Sequence, residues 1–128
     1  MSPDTLLRAY PEDVQRLVAE ARRCLTEWIP RAVEGADSSA RLLSYSYGAG
    51  YRGAVCTLIL SKTGVKLGLV GGATLPDPHG LLAGSGKVHR HLQLSTPADL
   101  RRAGVKALVL AASVACRARL AQGPAKGL

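Results

Sequence analysis

Between Pro11 and Ile29 the apolar side chains of Val14, Leu17, Val18, Ala21, Leu25 and Trp28 recur at spacings of three and four. That period places them on one face of an amphipathic helix. Pro11 suits a first helical turn, Glu12 and Asp13 complement the positive end of the helix dipole, and Pro30 ends the helix. Arg31 to Ala40, with Gly35, Asp37, Ser38 and Ser39, keeps neither a helical nor a strand period and reads as a connection with at most a short helical turn.

The pattern then changes to alternation. Three extended segments follow, Arg41 to Tyr47, Gly53 to Ser61 and Val65 to Gly71, separated by Gly48-Ala49-Gly50 and Lys62-Thr63-Gly64. Connections this short and rich in glycine predict an antiparallel meander. In the first segment Leu43, Tyr45 and Tyr47 share one face and Ser44 and Ser46 the other; in the third, Val65, Leu67 and Leu69 alternate with Lys66 and Gly68. Both segments therefore bury one face. A loop from Gly72 to Lys87, with Pro76, Pro78, Gly80, Gly84 and Gly86, is too long for a turn, and loops of that length often carry function. The next strand, Val88 to Leu94, sets Val88, Arg90, Leu92 and Leu94 on one face and His89, His91 and Gln93 on the other. Thr96-Pro97-Ala98-Asp99 then announces a helix to about Leu120, with Leu100, Val105, Leu108, Val109, Ala112 and Cys116 inward and Arg117 and Arg119 in its last turn.

Helix, strands, long loop, strand, helix is most simply an α+β, two-layer fold. It has an antiparallel sheet of about four or five strands with the N- and C-terminal helices packed on one face. The other face of the sheet is left partly open, and a ligand is expected there.

Composition adds that the core is aliphatic, since the 128 residues include no Phe and one Trp. This length holds one domain, set at residues 5–120, with 121–128 as a flexible C-terminal tail. The first ten residues, interrupted by Asp4 and Arg8, do not form a secretory leader, and no stretch approaches the roughly 18 apolar residues of a membrane span, so a cytoplasmic protein is expected. Cys24, Cys56 and Cys116 are far apart, odd in number and set in apolar segments, which predicts buried, inert thiols. A formal charge of +8 favours anionic partners: a small anion, an acidic protein surface or, less favoured, nucleic acid.

Gly80 to Lys87 invites comparison with a phosphate-binding P-loop. The first glycine of that motif would fall on Leu81, Val88 follows the lysine in place of Ser or Thr, and no helix follows. A simple anion-binding turn around Gly84, Gly86 and Lys87 remains. His89 and His91 project to one side of a strand roughly 6 to 7 Å apart, near enough to share an iron or zinc ion with Asp77 and His79 of the preceding loop, although two solvated histidines give the same pattern. Tyr45, Tyr47 and Tyr51, close to Arg52, can form a stacking wall, but packing in the core is the commoner use of such tyrosines. There is no nucleophile elbow and no paired carboxylate in the strand and loop region, so the chain is not expected to be an enzyme.

The run Asp77-Pro78-His79-Gly80-Leu81-Leu82-Ala83-Gly84-Ser85-Gly86-Lys87, then Arg90-His91-Leu92-Gln93-Leu94 and Pro97-Ala98-Asp99-Leu100, resembles the signature of the YdhG-like family, a bacterial domain of unknown function. Leu43 to Gly48 and the helix from Pro11 to Trp28 resemble it more loosely. The resemblance implies a curved antiparallel sheet with flanking helices. One member is described as a frataxin-like iron chaperone that holds iron on acidic surface residues around its first helix. Here that helix mixes Glu12, Asp13, Glu20 and Glu27 with Arg16, Arg22 and Arg23, whereas hard, oxygen-bound iron sites need clustered carboxylates. The leading expectation is thus a non-enzymatic binding module for a small anionic ligand or an acidic partner protein. Arg52, Lys87 and Arg90 would supply charge beside Gly84 and Gly86, His89 and His91 hydrogen bonds that change with pH, and Tyr45 to Tyr51 the wall. Alternation turns Arg90 inward unless it stands at a strand end or edge, and the alternative role for it is a structural pairing with Asp77. A frataxin-like metal chaperone using Asp77, His79, His89 and His91 is the alternative, and an exposed sheet edge allows a homodimer.

Overall fold

A computed structural model describes residues 1–122. A short helix, α1 (Pro3–Leu7), opens the chain, capped where the Thr5 amide donates to Ser2 Oγ at 3.2 Å, and it buries Leu6 and Leu7. Five residues are too few to show a period, so the pattern does not reveal it. α2 (Glu12–Trp28) buries Val14, Leu17, Val18, Ala21, Cys24 and Leu25, the expected face with Cys24 added and with Trp28 only half-buried at its end.

The expected connection after Pro30 is instead a strand. β1 (Val33–Asp37) pairs antiparallel with β2 (Leu42–Ser46), Gly35 opposite Ser44. It sits at the sheet edge and is only partly covered: Ala36 packs against the core, while Val33 is exposed and Glu34 stands where alternation would put an apolar side chain. Its anchor is polar: Glu34 accepts hydrogen bonds from Arg22 Nη2 at 2.9 Å, Arg22 Nε at 3.0 Å and the Tyr45 hydroxyl at 2.5 Å, tying the edge to α2 and β2.

β3 (Ala54–Ser61), β4 (Gly64–Leu69) and β5 (Arg90–Leu94) complete a sheet of order β1-β2-β3-β4-β5, antiparallel throughout. Leu43, Leu58, Leu67 and Leu92 stand on one register line and are buried. Each such leucine contributes roughly 1.5–3 kcal/mol by leaving water. The face they form is covered by α2 over β4 and by the last helix over β3.

That last helix begins later than Thr96 suggests. Pro97–Arg101 is a 3-10 turn, capped as the Asp99 carboxylate accepts the Ser95 and Thr96 amides at 2.7 and 3.0 Å. These bonds hold the Asp99 carboxyl below its ordinary pKa. The chain then breaks at Gly104, whose φ of 96° suits glycine, and α3 (Val105–Ala121) follows. Leu100, Val105, Leu108, Val109, Ala112 and Cys116 are buried as expected. Of the expected tail, Ala121 belongs to α3 and Gln122 caps it, while 123–128 lie outside the described residues. All three cysteines are buried and free, and burial pushes the Cys56 thiol up to about 12. Among the described residues no helix is long and apolar enough to cross a membrane.

Candidate functional site

Because α2 and α3 share one face of the sheet, the side chains that alternate away from the core form an uncovered surface. One register line on that surface runs Gly35, Ser44, Thr57, Gly68, His91, every side chain but the last being small. Its neighbour runs Asp37, Leu42, Ile59, Lys66, Gln93 and stands taller. The line ends in the long loop: Ala83 bridges to His91, with Ala83 N to His91 O at 2.7 Å and His91 N to Ala83 O at 3.1 Å. The loop therefore finishes the β5 edge as a fragment of a sixth strand.

Where the small line meets the loop, the surface hollows into a cleft of about 270 Å³. Thr57, Ile59 and Gly68 are on its floor, with Leu69 and Val70, and His89, Arg90 and His91 form its wall. A Cβ on Gly68 would come within 2.6 Å of Thr57 Oγ1, so the glycine lets that hydroxyl lean across the strand. Gly84 and Gly86 support the wall from behind. A Cβ on Gly84 would touch the His91 ring at 3.4 Å and Arg90 Cδ at 3.8 Å, and one on Gly86 would lie 3.0 Å from His89 O. Arg90, half-buried at the first residue of β5, lines the cleft, and its Nη1 donates to His89 O at 3.2 Å. His89 Nδ1 accepts the Gly71 amide at 3.4 Å, and its ring lies 5.3 Å from that of Tyr51.

The sequence had grouped further residues here, and four of those assignments are corrected. Tyr45 faces the core, 2% exposed and bonded to Glu34, so its role is the core one. Tyr47 also turns to the helix layer, its hydroxyl 2.6 Å from Ser113 Oγ and Arg117 over its ring. Of the three tyrosines it is Tyr51, about half exposed, that stands beside the cleft wall. Arg52 closes the C-terminal end of α3 by donating to the Arg119 carbonyl at 2.5 Å, while its own carbonyl accepts from Arg119 Nε and Cys116 Sγ. Lys87 is exposed and does not line the cleft, so that among the described residues Arg90 is the Lys or Arg that does.

The proposed metal set does not assemble. Asp77 uses both carboxylate oxygens on the Leu81 and Leu82 amides, at 2.9 Å each, which also removes it as a partner for Arg90. His79 packs against Gly104 at the start of α3, in the helix layer. His89 and His91 remain as a pair, and among the described residues no three His, Cys, Asp or Glu side chains are placed to hold a metal ion. Two floor residues, Thr57 and Ile59, were missed. The signal for the floor was Gly68, a glycine inside an alternating strand, which marks a place where another group comes close.

Charge is segregated along the chain. Residues 38–128 carry twelve of the seventeen Lys and Arg but only two of the nine carboxylates, Asp77 and Asp99, and both are engaged with backbone amides. Among the described residues no carboxylate lines the cleft. Comparison with family models, with curated proteins and with solved structures finds no match.

Proposed function

We propose that this chain is a cytoplasmic binding module without catalytic groups of its own, whose open sheet face takes a small anionic ligand. The observation that carries this reading is the cleft wall itself: Arg90, His89 and His91 line the cleft together with Thr57 and Gly68, and among the described residues no carboxylate lines it. Charge-assisted hydrogen bonds from such groups suit phosphate or carboxylate oxygens. At about 270 Å³ the cleft is small beside the usual ligand pocket, which favours a compact anion with one apolar edge against Ile59 and Val70. Kinship with YdhG-like proteins belongs to the same proposal, because the run that carries the resemblance supplies Arg90 and His91 to the cleft and Gly84 and Gly86 to the back of its wall. The frataxin-like alternative loses ground, since Asp77 and His79 lie away from the histidine pair. Binding of nucleic acid would instead use the wider basic surface and weaken steeply with salt.

Calorimetric titration with inorganic phosphate, pyrophosphate and citrate tests the reading. At least one of these should bind the wild type, and Arg90→Gln should weaken it about tenfold through loss of a charged donor. His91→Ala should weaken it less, and Lys87→Ala hardly at all. Equal affinities in all four proteins, or no binding of any anion, would overturn the assignment.

A further inference from the structure

α3 is apolar on both sides, which a helix packed on only one side does not require. Its inner face is the core face already described. On its outer face Ala107, Ala111, Val114, Ala118 and Ala121 recur at spacings of four and three, the period of a helix-pairing seam, with Leu110 beside them. Val114 is 65% exposed and Leu110 39%. A helix with two apolar faces is ordinarily covered on both.

Two further features bear on what covers it. At its N-terminal end the seam runs into a crevice of about 180 Å³ between the long loop and the helix, walled by Pro76, Pro78, His79, Gly104 and Ala107. This is the shape that receives an anchoring side chain at the centre of an interface. The flanking charges are mostly positive, and Asp99, which lies within electrostatic reach of Arg102, is bonded to the Ser95 and Thr96 amides. Lys106 and Arg117 are exposed on α3, Arg102 is exposed just before it, and no carboxylate occurs from Leu100 to Gln122. Asp77, in the crevice, is occupied by the Leu81 and Leu82 amides.

We propose that the outer face of α3 and the adjoining crevice dock an acidic amphipathic helix of a partner protein. Its apolar stripe lies along the alanine-rich seam, a large apolar side chain fills the crevice, and its carboxylates meet Arg102, Lys106 and Arg117. Small seam residues let two helix backbones approach closely. A second copy of this chain fits less well, because it would bring the same cations against each other. The surface belongs to the helix layer, on the side of the sheet away from the anion cleft, so it stands or falls independently of that reading.

The test uses two labelled helical peptides matched to the 17 residues of α3, with identical leucine stripes and flanks of either glutamate or lysine. Fluorescence anisotropy with the full chain should give micromolar binding of the glutamate peptide and at least about tenfold weaker binding of the lysine peptide. Val114→Glu, at an exposed position that leaves the core intact, should weaken the glutamate peptide about tenfold or more, as should Lys106→Glu with Arg117→Glu. Lys62→Ala, in the β3–β4 turn, should leave it unchanged. Failure of the glutamate peptide to bind, equal binding of both peptides, or indifference to Val114→Glu overturns the proposal. So does a sedimentation dimer that Val114→Glu dissociates, which would make the occupant a second copy.

Discussion

Gly53→Ala is expected to destabilise the protein by about 3 kcal/mol or more, lowering its melting temperature by roughly 10 °C. A Cβ at this position would lie 2.2 Å from the Gly48 carbonyl oxygen, 2.3 Å from its carbon and 2.6 Å from Gly48 Cα. All three are backbone atoms, so no side chain can swing aside. The two strands of chain cross here because Tyr47 N donates to Gly53 O at 2.7 Å, closing the excursion between β2 and β3. Separating them would break that bond and pull at the Arg52 and Arg119 hydrogen bonds that fasten α3 to the start of β3. Gly50→Ala is the natural control. Its φ of 69° disfavours a side chain, yet nothing lies within 4 Å of the added carbon, and a loss near 1 kcal/mol is expected. Calorimetric melting of both variants separates steric collision from backbone preference, and similar small shifts in the two would contradict the packing described for this crossing.

Glu34→Ala should cost about 2 kcal/mol by leaving the buried Tyr45 hydroxyl without its acceptor and the half-buried Arg22 guanidinium with only the exposed Asp4, 3.2 Å from its Nη1. The effect should appear as loosening of β1 before global unfolding, read as faster amide exchange across the β1–β2 pairs. Glu34 also predicts a pH dependence. Burial raises its pKa, but the hydrogen bonds from Arg22 and Tyr45 and the charge of Arg22 outweigh burial and hold the carboxyl below its ordinary 4.5. A carboxyl with a depressed folded pKa stabilises the fold fully above its unfolded value, and that stability is lost as pH falls through the folded one. Melting temperature should therefore decline below about pH 4.5, and Glu34→Gln should flatten part of that decline. An unchanged slope in Glu34→Gln would show that the edge is not held by this ionised group.

Most of the fold was legible because burial on one side imposes a period. The leucines of β3, β4 and β5 and the inner face of α2 carry that period, and their placement in two layers follows from it. Where burial does not set the pattern, the sequence was silent or misleading. β1 is fixed by hydrogen bonds to Glu34 rather than by apolar alternation, so it looked like a connection. Thr96 to Asp99 carried a sound cap signal, but the signal marks where a turn begins and does not say that Gly104 will interrupt it.

The candidate site was half legible for a related reason. His89, Arg90, His91, Gly84 and Gly86 lie close in sequence, and the strand and its loop return bring them together. Asp77 and His79 are as near in sequence, yet Asp77 is consumed by two backbone amides and His79 turns to the helix layer. Tyr45 and Tyr47 share a strand face with Leu43, and that alternation had already placed them on the core side. Thr57 and Gly68 come to His91 through strand register, which is a property of the assembled sheet and not of any one segment.

The proposed function puts a small anion over Gly68, between Thr57 and the His89 to His91 wall. Titration of isotopically labelled protein with inorganic phosphate and pyrophosphate, followed by amide and histidine side-chain resonances, reads it most directly. Saturable shifts are expected at Thr57, Gly68, His89, Arg90 and His91, with the outer face of α3 unmoved. Shifts confined to the arginines and lysines of α3 and the turns, fading together as salt is added, would contradict it and leave only a diffuse basic surface.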